Sequence, residues 1–501
     1  MRSALPQLQR PGDFLDGRFV SPDRPDGELV VRSPADIDDV SAVHDFAAAH
    51  VDRAVEAARG AFAHFRRLGE DGRRALLLRY QERLRAHRED IALVIAREVG
   101  KPLWEARGEV DAMIAKVDLS LGEGARYTAT EHIAGLPGEV RYRPLGVLAV
   151  VGPFNFPGHL PNGQIVPALL LGNCVVHKPS DKTPSTATWM ARCFEQAGLP
   201  PGAFNVVQGP GPIGQQLTVH PGIDGVLFTG SAAVGRRIVA DNAEHPERLI
   251  ALELGGKNAA IALDDCDLER SARAIAFSAF ASAGQRCTAT SRLLVTEVVA
   301  PALVDRIAQI ARALRVGYPL DDGVFMGPMI SAAAREALLA AQARARSAGF
   351  EALVAGGPAE VTGHDGYYVR PAIQRAPQPE LRVEGYTDEE LFGPDLAVSV
   401  VPDLAAAIEL ANASRFGLAA SVYTGSRAAF EHAADELRTG VVHWNRPSAG
   451  ASSRLPFGGI KESGNHRPAG IMAGTACAYA QSVLLESATP AALPTWPGFG
   501  V

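Results

Sequence analysis

Cys287 is the side chain in this sequence with the greatest potential for covalent chemistry. It lies in the run Gly284-Gln285-Arg286-Cys287-Thr288-Ala289, directly after a helical stretch that ends in Ala281-Ser282-Ala283. A thiolate is the strongest nucleophile among the side chains, and backbone amides of a loop can lower the pKa of a thiol. The alternative is a buried, unreactive cysteine, which is the commoner outcome for a single cysteine. Assignment of Cys287 as a nucleophile therefore depends on partner residues.

Two other residues could supply those partners. Glu253 ends an apolar strand just before Gly255 and Gly256, and a partly desolvated carboxylate there would have a raised pKa and could act as a general base toward water. Asn155 follows another apolar strand and lies between two prolines, which would hold its amide rigidly, as an oxyanion donor requires. Considered alone, Glu253 could instead be a surface residue at a strand end, and Asn155 could be an ordinary turn residue.

A possible cofactor loop has the sequence Gly230-Ser231-Ala232-Ala233-Val234-Gly235 and connects a strand to a helix. Backbone amides at such a helix N-terminus can face a pyrophosphate. The spacing of the two glycines resembles a P-loop, but Arg236 and Arg237 stand where lysine and serine or threonine are required, which disfavours ATP. The loop also lacks the Gly-x-Gly-x-x-Gly pattern, so by itself it is a weak nucleotide signal.

The turn Lys178-Pro179-Ser180-Asp181 follows the strand CVVH. Its ammonium and carboxylate could contact ribose hydroxyls, with an ordinary turn as the alternative. Because a ribose 2′-phosphate would meet like charge at Asp181, the sequence favours NAD over NADP.

The elements that must position these residues alternate between short strands and helices. Between Glu139 and Leu254 the strand-like segments are GVLAVVG, CVVHKP, FNVVQG, DGVLFTG and LIALEL. This alternation predicts a parallel sheet with crossover helices. Apolar residues at three- and four-residue spacing predict amphipathic helices from about 50 to 127. A second alternating block, from about 255 to 438, predicts a second domain, and residues 127–144 predict a hairpin.

Composition limits the class of protein. At 501 residues the chain is too long for one hydrophobic core, so two major domains are expected. A net charge of -7 with no dense basic run argues against nucleic-acid binding. The N-terminus does not resemble a signal peptide and no apolar stretch reaches spanning length, which predicts a cytoplasmic protein without membrane contact. The five cysteines and 13 histidines are scattered, so neither a disulfide framework nor a metal site is expected.

In order and spacing, these pieces resemble the aldehyde dehydrogenase superfamily over nearly the whole chain. The resemblance implies that Cys287 is the nucleophile, that Glu253 activates the hydrolytic water, and that Asn155 and the Cys287 amide form the oxyanion hole. The substrate would be an aldehyde. The run Pro456-Phe457-Gly458-Gly459 is a further landmark of that family.

The resemblance also implies NAD as the cofactor. Lys178 would bind the adenosine ribose, and Gly230 to Gly235 would form the pyrophosphate and nicotinamide loop. Glu390 and Phe392, within Glu389-Glu390-Leu391-Phe392-Gly393-Pro394, match the residues that hold the nicotinamide ribose.

The implied fold is α/β, with a Rossmann-like cofactor domain, an α/β catalytic domain and a β-hairpin oligomerisation arm. The expected boundaries are 1–126 and 145–254 for the NAD-binding domain, 255–462 for the catalytic domain, and 127–144 and 470–490 for oligomerisation. A homo-oligomer, dimer or tetramer, is expected.

Within the family, three segments resemble the subfamily that acts on N-succinylglutamate 5-semialdehyde in arginine catabolism. They span residues 155–163, 109–116 and 463–468. Lys257, where that subfamily is expected to have asparagine, and Lys461-Glu462 are instead typical of the wider family. Other acidic semialdehydes are therefore alternative substrates, and a cysteine hydrolase is the alternative from another class.

Several residues could accommodate such a long, anionic substrate. Gly158 and Gly163 could widen the substrate tunnel. The loop 448–453 could bind a carboxylate through its hydroxyls and amides, and Arg446, Arg454 and His159 are candidate charge partners.

Overall fold

The computed structural model describes residues 8–485 and 496–498. Two seven-stranded sheets, each flanked by helices, form the mixed α/β fold that the sequence predicts. The two sheets have separate hydrophobic cores. The expected domain boundaries stay predictions, and the parts of them at 1–7 and 486–490 lie outside the described residues.

The first sheet has the strand order β12-β11-β8-β9-β10-β2-β3. Its strands are β2 (Asp13–Leu15), β3 (Arg18–Val20), β8 (Val147–Val151), β9 (Cys174–Lys178), β10 (Phe204–Val206), β11 (Gly225–Thr229) and β12 (Leu249–Glu253). The five strands predicted from the sequence are β8 to β12, and they pair in parallel. Their side chains are buried on both faces, which is why they read as continuous apolar runs.

Eight helices belong to the described part of the chain before β12. They are α1 (Ala49–Arg67), α2 (Gly69–Ala86), α3 (Arg88–Val99), α4 (Leu103–Leu121), α5 (His159–Leu171), α6 (Pro184–Gln196), α7 (Gly211–Val219) and α8 (Ala232–Asp241). The first four confirm the predicted helical region. Helix α3 ends at Gly100, whose φ of +79° is a left-handed conformation that favours glycine.

The second sheet has the strand order β15-β16-β17-β14-β13-β19-β20. Its strands are β13 (Asn258–Ala262), β14 (Thr290–Thr296), β15 (Glu351–Ala355), β16 (Ala372–Arg375), β17 (Asp395–Val401), β19 (Ala419–Tyr423) and β20 (Val441–Trp444). The helices of this region are α9 (Leu268–Phe280), α10 (Ala300–Ala313), α11 (Ala332–Ser347), α12 (Leu404–Asn412) and α13 (Arg427–Glu436). Short pairs join β18 (Phe416–Gly417) to β22 (Ile460–Lys461) and β21 (Pro456–Phe457) to β23 (Ala469–Gly470).

The predicted hairpin consists of β6 (Glu131–His132) and β7 (Gly138–Pro144). Strand β24 (Ala478–Leu484) pairs antiparallel with the whole of β7, so the chain's two distant segments form one three-stranded sheet. A further sheet, in the order β1-β5-β4, contains β1 (Leu8–Gln9), β4 (Gly27–Ser33) and β5 (Asp36–Phe46). The sequence analysis did not predict this sheet.

Within the described residues, no helix is both long enough and apolar enough to cross a membrane. The same residues contain no cluster of three or more histidine, cysteine, aspartate or glutamate side chains that could hold a metal ion.

Candidate active site

Four of the predicted site segments lie along one edge of the first sheet. Glu253 and Lys178 are the last residues of β12 and β9, the 230–235 loop follows β11, and Asn155 follows β8. These strands are adjacent and parallel, and Glu253 pairs with Thr229 while Lys178 pairs with Val151. The carboxyl edge of a parallel sheet is where open α/β folds bind ligands. The strand order therefore brings together residues that are far apart in sequence.

Cys287 reaches this edge from the second sheet. After α9 the chain turns sharply, and Ser282, Ala283 and Gly284 have φ values of +54°, +53° and +66°. At Gly284 a Cβ atom would lie only 2.2 Å from the Gly393 carbonyl oxygen, so only glycine fits there. The turn confirms that Cys287 follows a helix end.

Hydrogen bonds fix the backbone at Cys287 and at the two residues that follow it. Asn258 donates from Nδ2 to the carbonyls of Cys287 (2.7 Å) and Ala289 (2.9 Å). Ser448 donates from Oγ to the Thr288 carbonyl at 2.7 Å. Because the chain positions flanking Cys287 are held by buried side chains, the thiol is presented from a rigid loop.

Asn155 is buried and directed toward the same loop. Its Nδ2 donates to the carbonyl of Gln285 at 2.9 Å, two residues before Cys287. Gln285 is itself fixed, since its Oε1 accepts from the Ile330 amide at 2.9 Å. The amide of Asn155 has a second N–H. The side chain thus links the first sheet to the loop that carries the thiol.

Glu253 is a buried carboxylate with few partners. Its Oε1 accepts from the Ala469 amide at 3.2 Å, and its Oε2 is buried without a hydrogen-bond partner among the described residues. Burial raises its pKa well above the ordinary value, and the Ala469 hydrogen bond only partly opposes this. A raised pKa is the property expected of a general base that must work near neutral pH.

The Cys287 side chain is half-buried, and its surroundings disfavour the charged form of the thiol. Burial raises its pKa to about 12, and the charges of Glu390 and Glu253 act in the same direction. Ionisation of either carboxylate therefore disfavours the thiolate.

Glu390 lies against the backbone that follows Glu253. Its Oε1 accepts from the Gly256 amide at 3.1 Å, and a Cβ on Gly255 would be 2.0 Å from its Oε2. Burial raises the pKa of Glu390 to about 7. Because the Glu390 carboxylate approaches so closely, glycine is required at 255.

Nearby, Phe392 makes an edge-to-face contact with Phe154, with ring centroids 5.7 Å apart.

The 230–235 loop begins helix α8. Ser231 caps the helix, since its side chain accepts from the Val234 amide, while Ala233 and Val234 are exposed. The loop is tied to the general-base candidate, because the Gly230 amide donates to the Glu253 carbonyl at 3.0 Å. A capped, accessible helix N-terminus at the carboxyl edge fits a pyrophosphate group.

Lys178 and Asp181 lie at the end of β9, two strands along the sheet from β11. Burial lowers the pKa of Lys178 to about 8, although the Asp181 charge opposes that effect. The carboxylate of Asp181 lies 3.2 Å from the Lys182 ammonium and accepts from the Ser180 hydroxyl. Both side chains therefore lie at the carboxyl edge of the sheet, with the charge of Asp181 partly neutralised by Lys182.

Two expectations about the substrate are corrected. Burial lowers the pKa of His159 to about 4, so it is neutral at pH 7 and is not a charge partner. Gly158 does not open space, since a Cβ there would be 2.5 Å from the Met113 sulfur. Arg454 is exposed and forms an ion pair with Glu123, and its role as a charge partner stays a prediction.

Sequence reasoning missed the residues that hold this site, including Gln285 and Asn258. Each lies next to a predicted catalytic residue or within the same motif, and that proximity was the available signal. Ser448 was identified only as a possible carboxylate ligand, whereas its hydroxyl binds the Thr288 carbonyl and contacts the Thr290 hydroxyl at 2.8 Å.

Comparison with known proteins gives consistent matches. The profile of the Aldehyde dehydrogenase family matches residues 19–483. An N-succinylglutamate 5-semialdehyde dehydrogenase from Chromobacterium violaceum is 42% identical over 471 residues, covering 93% of this chain and 95% of that relative. A protein of the same name from Erwinia tasmaniensis is 43% identical, covering 88% of each chain.

Solved structures agree with these matches. An NAD-dependent aldehyde dehydrogenase from Sinorhizobium meliloti superposes with a TM-score of 0.91 at 31% identity, covering 99% of this chain and 97% of that one. A gamma-glutamyl-gamma-aminobutyraldehyde dehydrogenase from Burkholderia cenocepacia J2315 also has a TM-score of 0.91, at 34% identity, covering 96% of this chain and 97% of that one. These matches confirm the resemblance to the aldehyde dehydrogenase family that the motifs indicate.

Proposed function

Because the chain belongs to the aldehyde dehydrogenase family, we propose that it oxidises an acidic semialdehyde to the carboxylate with NAD, through a thioester on Cys287. We assign N-succinylglutamate 5-semialdehyde, an intermediate of arginine catabolism, as the substrate. The observation that supports this mechanism best is the convergence of a thiol, a rigid amide and a buried carboxylate from separate segments at one sheet edge.

In the first step the Cys287 thiolate attacks the aldehyde carbon, and the carbonyl oxygen becomes an oxyanion. The second N–H of the Asn155 amide and the backbone amide of Cys287 stabilise that charge. The hydrogen bond from Asn155 to Gln285 restricts the amide before substrate binds. The thiolate forms more readily when the charges of Glu253 and Glu390 are neutralised, because both raise the pKa of the thiol.

The residues at the carboxyl edge would hold the cofactor. The amides of Gly230 to Gly235 at the start of α8 suit the pyrophosphate, Lys178 and Asp181 suit the adenosine ribose, and Glu390 with Phe392 suits the nicotinamide ribose. The glycine at 255, which leaves room for the Glu390 carboxylate, supports this placement. NAD bound there supplies the two-electron oxidation that brings the substrate carbon to the thioester level.

In the last step Glu253 deprotonates a water molecule, which attacks the thioester carbonyl. The carbon–sulfur bond breaks, the acid is released, and Cys287 is regenerated. The unpartnered Oε2 of Glu253 is the atom that would accept the proton. This step makes water, rather than coenzyme A, the acyl acceptor.

The substrate assignment is supported by the names of the relatives and by the three segments at 109–116, 155–163 and 463–468. The loop at 448–453 and the exposed Arg446 remain candidates for binding the substrate carboxylates. Glutamate and succinate semialdehydes are the alternatives.

A panel of aldehydes assayed by NADH formation tests the proposal. N-succinylglutamate 5-semialdehyde should have a much higher kcat/KM than a neutral aliphatic aldehyde of similar length, and Arg446→Ala should reduce that difference mainly through KM. Equal kcat/KM for these two aldehydes would agree with the general reaction but would contradict the substrate assignment. Absence of NADH with every aldehyde, together with ester hydrolysis, would favour a cysteine hydrolase.

We further propose that the sheet of β6, β7 and β24 is the oligomerisation arm of a dimer or tetramer. Its tips expose Ile133 (38%), Leu136 (50%) and Leu484 (74%), a pattern that suits burial against another subunit. Light scattering after size-exclusion chromatography measures the oligomer mass, and a monomer would contradict the proposal.

The five free thiols also fit a reducing, cytoplasmic compartment.

A further inference from the structure

One face of helix α4 carries buried charges that the mechanism above does not use. Glu105, Glu109 and Lys116 are spaced by four and seven residues, so they lie on the same face, and their relative exposures are 6%, 2% and 4%. Burying charges is unfavourable unless each finds a partner. The partners of these three side chains lead to the three proposed catalytic residues.

Glu109 and Lys101 hold the chain at Asn155 and at the start of the helix that follows it. The two side chains form a fully buried ion pair, with Lys101 Nζ 2.8 Å from Glu109 Oε2. The same ammonium donates to the backbone carbonyl of Asn155. The other carboxylate oxygen accepts from the amides of Gly158 (2.9 Å) and His159 (3.1 Å) at the start of α5. The pair therefore sets where the Asn155 amide lies.

Lys116 reaches the segment that holds Glu253. Its Nζ donates to the Gly470 carbonyl, and the preceding residue, Ala469, donates its amide to Glu253. That amide is the single hydrogen-bond partner of the Glu253 carboxylate in the described structure. Lys116 thus fixes the strand on which the orientation of the carboxylate depends.

Glu105 makes the third connection. Its carboxylate accepts from the guanidinium of Arg286 at 2.6 Å and from the Ser282 hydroxyl at 3.1 Å. Arg286 immediately precedes Cys287, and Ser282 lies in the left-handed turn before it. Each of the three buried charges of α4 is therefore linked, through one or two contacts, to a different residue of the proposed catalytic set.

We propose that Glu109, with Lys101, and Lys116 are positioning residues that serve different steps of the reaction. The Lys101–Glu109 pair sets the oxyanion donor Asn155 and is needed for formation of the thioester. Lys116 sets Glu253 and is needed only for hydrolysis. This inference rests on the proposed function, since it assigns each side chain through the role of the residue that it positions.

The test is pre-steady-state NADH formation in the full-length protein. In Lys116→Met the burst should keep its rate and amplitude, while steady-state turnover falls by about tenfold to 100-fold, as expected for a misplaced base. Arg248→Met is a matched control, because Arg248 is also a buried cation that donates to backbone carbonyls but lies at the opposite end of β12. Its burst and turnover should be unchanged.

The Lys101–Glu109 arm needs a double variant. Removing one partner of a buried ion pair leaves an unpaired charge and destabilises the fold, whereas replacing both with apolar side chains is often neutral for stability. Lys101→Met/Glu109→Met should therefore avoid an unpaired charge and still fold, with a melting temperature lowered by the loss of the hydrogen bonds to the Asn155 carbonyl and to the Gly158 and His159 amides. Its NADH burst should be slower by about 100-fold.

The outcomes separate the inference from the proposed function. If the wild type gives no burst and Glu253→Gln does not slow turnover, the proposed function fails. If those two behave as expected but Lys116→Met slows the burst, or the double variant keeps the wild-type burst rate, the positioning roles are wrong. A fall in melting temperature alone, with both rates unchanged, would also overturn them.

Discussion

Replacement of Glu253 by glutamine tests the mechanism most directly, because the structure separates the chemical role of this side chain from its structural role. The carboxylate makes one hydrogen bond, from the Ala469 amide to Oε1, and its Oε2 has no partner among the described residues. Glutamine keeps an oxygen acceptor for that amide and replaces the basic oxygen with a non-basic NH2 group of similar size. The variant therefore removes the base and leaves the packing.

The expected loss can be given a magnitude. General-base catalysis contributes about 10²- to 10⁴-fold, which corresponds to about 3 to 5 kcal/mol of transition-state stabilisation. Only hydrolysis uses the base, so the loss should appear in steady-state turnover. Formation of the thioester should not slow, because removing the Glu253 charge lowers the pKa of the Cys287 thiol. The assay is stopped-flow NADH fluorescence, which should show a burst followed by slow turnover.

Thermal unfolding supplies the control for the same variant. The pKa of Glu253 is raised in the folded state above its ordinary value of 4.5, so ionisation of this carboxylate opposes folding as the pH rises above that value. Glu253→Gln should therefore be more stable than the wild type at pH 8 and equally stable near pH 4. A variant that turns over at the wild-type rate, or that transfers its acyl group to added coenzyme A faster than the wild type hydrolyses it, would refute the assignment.

Three further perturbations have defined outcomes. Cys287→Ala should abolish dehydrogenase and esterase activity while calorimetry still detects NAD binding, and substantial residual turnover would rule out the nucleophile. Glu390→Gln should accelerate alkylation of Cys287 by iodoacetamide at pH 8, because loss of that charge lowers the pKa of the thiol; an unchanged rate would show that the charge does not act on it. The wild type should prefer NAD to NADP in kcat/KM, and Asp181→Ser should narrow the preference by removing a charge that repels a 2′-phosphate; equal efficiency with both cofactors in the wild type would contradict this.

The first sheet was predictable because its central strands are buried on both faces. Such strands are apolar along most of their length, so the polar residues at which they end, Glu253 and Lys178 among them, mark the strand ends in the sequence. By contrast, β4 and β5 alternate buried and exposed residues and carry several charges. The pairing of β24 with β7 depends on tertiary contacts that no local pattern encodes.

Within the site, residue types were predictable and supporting contacts were not. A thiol, an amide and a carboxylate can be recognised by chemistry, but Gln285 and Asn258 act through backbone carbonyls that the sequence does not specify. The charge expected of His159 was wrong, because burial lowers the pKa of its imidazole to about 4.

The charged face of α4 shows why helical periodicity in the sequence does not reveal these supporting residues. Charged residues in an amphipathic helix ordinarily mark the solvent side, yet Glu105, Glu109 and Lys116 are buried. An apolar side chain at these positions would pack without desolvation cost, but it could not hold a backbone carbonyl or amide in a fixed direction. Hydrogen bonds to charged groups are short, directional and strong in dry surroundings. A catalytic geometry assembled from separate segments requires such directional contacts, and the unfavourable burial of three charges on one helix is consistent with that requirement.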